Sequence, residues 1–230
     1  MTLPHVPAAA RSGPQWAEWD SWSYGDLEQA PLSGECRDDL ERLRGEAGGA
    51  RPAGGWAPGW PAPALEIRDV LFQCLFRAAL ARGESRYGWF VWQTLDSELA
   101  VHHQESRTAL LDGIVLVGLR TQCDQISGGA TEQVELVVPM AVGTREAPAG
   151  LVVAAETTAR GPELLVDVWG ESAVAAGWQA LLAVCRYVAS LAGEDQHCRP
   201  LLPGAVHASA GLLTVVPQAQ HAIDSPRRRR

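Results

Sequence analysis

Residues 134–192 read VELVVPMAVGTREAPAGLVVAAETTARGPELLVDVWGESAVAAGWQALLAVCRYVASLA, and this stretch decides the fold class. Val134-Glu135-Leu136-Val137-Val138-Pro139-Met140 is β-branched and apolar, which predicts a strand. Pro139 has no N–H to donate, so that strand belongs at a sheet edge or a bulge. Residues 143–150 are turn chemistry, with glycine at each end and proline and charges between. Residues 151–156 return as a second strand, so the pair predicts an antiparallel hairpin with a long loop. From Val174 onward, Trp178, Leu181, Leu182, Cys185, Val188, Ala189 and Ala192 recur in steps of three and four. That spacing predicts an amphipathic helix over 172–192, with Ser172 as N-cap and Gly193 as its stop. Gly177 inside it costs about 1 kcal/mol against alanine, which a close packing contact would explain.

Outward from this unit, residues 65–82 predict a helix whose stripe is Ile67, Val70, Leu71, Cys74, Leu75 and Ala78, with Arg77 turned to water. Residues 87–94, rich in aromatics, predict a strand. Asp96-Ser97 predicts a turn and residues 98–104 the returning strand. Residues 110–126 fit a buried strand and a short helix equally. ELLVDVW at 163–169 predicts an extra strand, and residues 193–230 predict loop with one last strand over 211–217. The order helix, strands, helix predicts an α+β fold, a central antiparallel sheet with flanking helices.

Residues 1–63 are dominated by Pro, Gly, Ala and Trp, with a charged helical piece near 37–45. They predict an N-terminal arm, either packed on its own domain or docking a partner through Trp16, Trp19, Trp22, Trp56 and Trp60. The domain itself spans 64–193, and 194–230 form a C-terminal extension with a basic tail, Arg227 to Arg230.

A net charge of −8 makes nucleic acid an unfavourable partner, and 47% hydrophobic residues suffice for a core. The chain has no lysine and no asparagine, which excludes Schiff-base chemistry and a phosphate-loop lysine. Its start, interrupted by Pro4, Pro7 and Pro14, does not read as a secretory signal, and no apolar run reads as a membrane span. Cys36, Cys74, Cys123, Cys185 and Cys198 form no CxxC pair, which predicts reduced thiols and a cytoplasmic setting.

On these residues the chain resembles a GAF domain, the sensor fold related to PAS and profilin. The matching elements are Val137-Val138-Pro139-Met140, the turn 144–148, Gly150-Leu151-Val152-Val153, the helix 172–192, and the opening helix and strand at 65–82 and 87–94. The resemblance covers about residues 64–192, and the strand predicted over 163–169 departs from it. It implies a ligand pocket on one face of the sheet, lined by Trp89, Val91, His102, Cys123 and Met140. It also implies a homodimer through the helices 65–82 and 172–192.

Side chains that carry chemistry are few. His102-His103 resembles the double histidine of acyl-transferring condensation domains, but the Asp-Gly that should follow closely appears only at Asp112-Gly113. On a strand, neighbouring side chains point to opposite faces and do not share a metal. His197-Cys198 has no other ligand at a metal-binding spacing, and Cys123 lacks the companion cysteines of GAF-type methionine sulfoxide reductases. The expected function is therefore a non-catalytic regulatory or sensory module binding a small ligand or a partner protein, with no cofactor named. The alternatives are an enzyme using His102 or His103 as acid or base, and an adaptor docking through the N-terminal arm.

Overall fold

The computed structural model describes residues 25–28, 30, 32–49, 52–57, 62–81, 88–95, 97–124, 131–144 and 157–219. Along the chain these form α1 (Gly25–Glu28), α2 (Gly34–Gly49), β1 (Leu65–Arg68), α3 (Asp69–Ala81), β2 (Phe90–Gln93) and β3 (Glu98–Leu111). There follow β4 (Ile114–Asp124), β5 (Thr131–Ala141), α4 (Glu163–Leu191), β6 (Leu202–Ser209) and β7 (Leu212–Gln218). The fold is α+β with two antiparallel sheets, ordered β2-β3-β4-β5 and β1-β7-β6, where the sequence predicts one.

The larger sheet is a meander. The ambiguous residues 110–126 are strand: Asp112-Gly113 is a two-residue turn, and Gly113 takes the positive φ of 68° that the turn requires. β5 is an edge strand, as Pro139 demands. Its free side is met by Arg160, whose N–H and carbonyl bond Val137 at 2.8 and 2.7 Å. The returning strand expected over 151–156 lies outside the described residues.

Side chains alternate across the pleat. Leu99, Val101, Val115, Val117, Leu119, Leu136, Val138 and Met140 are buried on one face, and α3 and α4 cover it. α4 also packs on β6 and β7, so it is apolar nearly all round, as a helix enclosed on several sides must be. By length and composition it would cross a membrane, yet 67% of its apolar window is buried inside the fold. The sheets meet at a corner: Gly143 N–H bonds the Val206 carbonyl at 3.2 Å, and Gly113 N–H bonds that of Ala208 at 3.0 Å.

Several expectations are corrected. Residues 65–68 are a strand paired with β7, and the helix begins only at Asp69. The alternation of Leu65 and Ile67 (buried) with Glu66 and Arg68 (exposed) has period two, which the helical stripe absorbed. Residues 163–169 are helix, not strand; α4 starts at Glu163, behind Pro162, and Ser172 lies inside it. Proline suits a helix entrance, and one apolar run is too short to show its period. After α4 the strand expected over 211–217 is present as β7, but it pairs in a hairpin with β6 where loop was expected.

The N-terminal residues described are packed rather than free. α2 buries Cys36, Leu40, Leu43 and Ala47, and Arg68 pairs with the buried Asp39. Trp56 is buried, its indole N–H bonding the Ala192 carbonyl at 3.0 Å. Cys36 and Cys74 form a disulfide between α2 and α3, which corrects the expectation of reduced thiols for that pair. Cys185 is free and buried, and burial pushes its thiol pKa up. Trp16, Trp19, Trp22 and Trp60 lie outside the described residues.

Candidate functional site

The larger sheet has one irregularity, in the middle of β3. His102 sits opposite Arg120 and Arg107 opposite Gly118, so four residues, 103–106, bulge against Leu119 alone. A bulge removes backbone groups from the ladder and re-aims side chains. The chain finds partners for these groups on several elements. The Arg77 Nε–H of α3 donates to the Ser106 carbonyl at 2.8 Å, and the Gln73 Oε1 accepts the Thr108 N–H at 3.2 Å. Ser106 Oγ donates to the His102 carbonyl at 3.0 Å and accepts the Arg120 N–H at 3.4 Å. Gln104 N–H reaches the Gly88 carbonyl at 3.5 Å.

The side chains are not so well provided for. His102 Nε2, His103 Nε2 and Thr108 Oγ1 are buried atoms with no hydrogen-bond partner. An unsatisfied buried polar group costs about 1–3 kcal/mol, so three within seven residues of one strand need a reason. His103 is only 5% exposed. Burial first, then His102 and the Arg77 guanidinium, hold its pKa below the ordinary histidine value, so its ring is neutral at pH 7. Arg77 is itself half-buried, and burial, with Arg107 adding repulsion, lowers its pKa. Among the described residues neither Arg77 nor Arg107 has a carboxylate partner, whereas Glu105 is spent on Arg120 at 3.9 Å.

The five residues expected to line a pocket do not share a face. Met140 is fully buried under α4, where a Cβ on Gly177 would lie 3.5 Å from its sulfur. Cys123 lies near the end of β4, partly buried against the core. Trp89 and Val91, 43% and 37% exposed, lie at and just before the edge strand β2. His102 pairs with Arg120 and is the last in-register residue before the bulge. Arg77, Gln73 and Ser106 are the participants that sequence reasoning missed. Arg77 reads as a solvent-facing residue of an amphipathic helix, and a bulge leaves no periodic trace when strand prediction stops at Gln104.

No other cluster competes among the described residues. Among the described residues no group of three His, Cys, Asp or Glu is placed to hold a metal ion. His197-Cys198 lies in an exposed loop where the buried Asp195 accepts the His197 and Arg199 N–H groups and pairs with Arg199 at 2.7 Å. Burial pushes the Asp195 pKa up, but the Arg199 and backbone hydrogen bonds outweigh it and hold the carboxyl below its ordinary value. That cluster is a structural knot in the loop. No family model, no curated protein and no solved structure matches this chain.

Proposed function

We propose that this chain is a non-catalytic regulatory or sensory module, GAF-like in kind, that binds a small ligand at the β3 bulge. One observation carries the reading: His103 Nε2 is buried without a partner beside a half-buried arginine, Arg77, that has no carboxylate partner among the described residues. Such a site is costly in the free protein and becomes satisfied when a ligand enters. Binding rather than catalysis is favoured because, among the described residues, no carboxylate hydrogen-bonds either imidazole to orient it as a general base. Native mass spectrometry of the protein from its own host tests the reading. A co-purifying small molecule that His103→Gln displaces supports it. A bare chain, with activity on any substrate abolished by His103→Gln but not by refolding controls, shifts the reading to the enzyme using His102 or His103. A co-purifying protein lost with residues 1–24 favours the adaptor.

The homodimer through 65–82 and 172–192 belongs to the same proposal. Its apolar residues are mostly turned into the chain's own core, and Val70 is the exposed large one among them. A monomer by light scattering at high concentration would remove it. The cytoplasmic setting is likewise proposed, on the free thiols of Cys123, Cys185 and Cys198. The Cys36–Cys74 disulfide counts against it, since cytosolic thiols are kept reduced, and alkylation in living host cells decides: a reduced pair supports the cytoplasmic setting and an oxidised pair removes it.

A further inference from the structure

The bulge presents donors. α3 packs on the core face of β3 and sets Gln73 and Arg77, one turn apart, over residues 103–108. His103 is buried on that face, and Thr108, whose register partner Val117 is buried, lies on it too. Arg77 uses Nε on the Ser106 carbonyl, which leaves the two terminal amino groups of its fork. Gln73 uses its oxygen on the Thr108 N–H, which leaves its NH2 group. His103 Nε2 and Thr108 Oγ1 have no partner. The carboxylates on the neighbouring elements are engaged: Asp69 accepts the Val70 N–H, Glu98 the Gln93 amide, and Glu105 faces Arg120. The other charged or titratable groups beside the bulge are His102, Arg107 and Arg120, all basic, and Glu135 of β5, whose carboxylate lies over Gly118, the register partner of Arg107.

We propose that this site binds an oxyanion, with the Arg77 fork, the Gln73 amide, the His103 ring and the Thr108 hydroxyl closing on one carboxylate or phosphate group of a small ligand. The proposal rests on the reading of the bulge as a ligand site and names the chemistry that fills it. A planar guanidinium matches either oxyanion in two-pronged fashion, and having no counterion among the described residues is what an anion site needs when empty. The anion also gives the buried imidazole its missing partner, which favours a protonated ring and tightens binding as pH falls.

The test is a titration of the full chain with inorganic phosphate and, separately, acetate, read by calorimetry and by the ring nitrogen signals of His103 in NMR. Saturable binding that shifts the His103 signals is expected. It should weaken about tenfold or more in Arg77→Gln and remain in Arg42→Gln, a surface arginine paired with Glu46. His103→Gln, which keeps a donor, should retain anion binding but lose the pH dependence of acetate binding above about pH 6, where acetate itself stays ionised, and it guards against Arg77→Gln failing to fold. Phosphate alone binding points to a phosphorylated ligand, and acetate binding to a carboxylic acid. If neither anion moves the His103 signals, the site holds water and the inference is overturned. If a ligand purified from the host moves them while both anions fail, the inference falls and the binding module stands. If nothing moves them, both fall.

Discussion

At the scale of single residues, His103 carries a measurable signature. Its folded-state pKa lies below the ordinary 6.5, chiefly through burial, so below that pH the unfolded chain binds a proton that the folded chain refuses. The fold therefore loses stability as pH drops from about 6.5 toward the folded-state value, and gains nothing from this residue above it. The thermal midpoint should fall between about pH 7 and pH 5 in the wild type, and less steeply in His103→Gln. Parallel curves would mean that the ring titrates normally. The sequence pointed to the His102-His103 pair without separating the two. The separation comes from the bulge, which buries His103 under α3 and leaves His102 opposite Arg120.

At the scale of elements, α4 shows how packing reinterprets a propensity. Gly177 reads as a defect that a close approach would excuse. The approach is real but not tight: an added Cβ would meet the Met140 sulfur at 3.5 Å and Val138 Cγ1 at 3.7 Å, ordinary van der Waals distances. Gly177→Ala should therefore stabilise the protein, by up to about 1 kcal/mol from helix propensity. Gly177→Leu should destabilise it, by about 1–3 kcal/mol, through overpacking against β5. Urea unfolding of both variants checks the pair; destabilisation by alanine would show that β5 and α4 lie closer than the structure has them. The same helix shows where periodicity fails. Residues 174–192 announce a helix because their apolar stripe is continuous. Residues 163–169 do not, because Leu164 and Val168 stay exposed while Trp169 turns in to stack on Trp92, so no single face is apolar.

At the scale of the whole molecule, residues 52–57 are stitched to the far end of α4. The Trp56 N–H bonds the Glu194 carbonyl at 3.0 Å, its carbonyl accepts the Gln196 N–H at 3.1 Å, and its indole N–H reaches Ala192. Gly55 holds a φ of 76° against the Asp195 backbone, where no side chain would fit. Trp56→Ala should cost about 3–5 kcal/mol in urea unfolding and open the chain to protease near residue 52. An unchanged midpoint would mean that α2 is held without this anchor. Residues 34–49 and 52–57 are held through Arg44 and Trp56 by partners more than 100 residues away that no local pattern announces.

The sequence by itself determined what depends on neighbours a few residues apart: the α+β class, strands within the stretches 87–94, 98–104 and 134–140, the edge or bulge that Pro139 calls for, and the body of α4. Local sterics and side-chain periodicity act within one element, so they are written in one stretch of chain. The tertiary structure alone decided the split into two sheets, the pairing of β1 with β7, the Cys36–Cys74 bridge and the placing of Arg77 over the β3 bulge. Each depends on long-range partners and on which buried groups find a hydrogen bond, and those are settled only when the elements pack together.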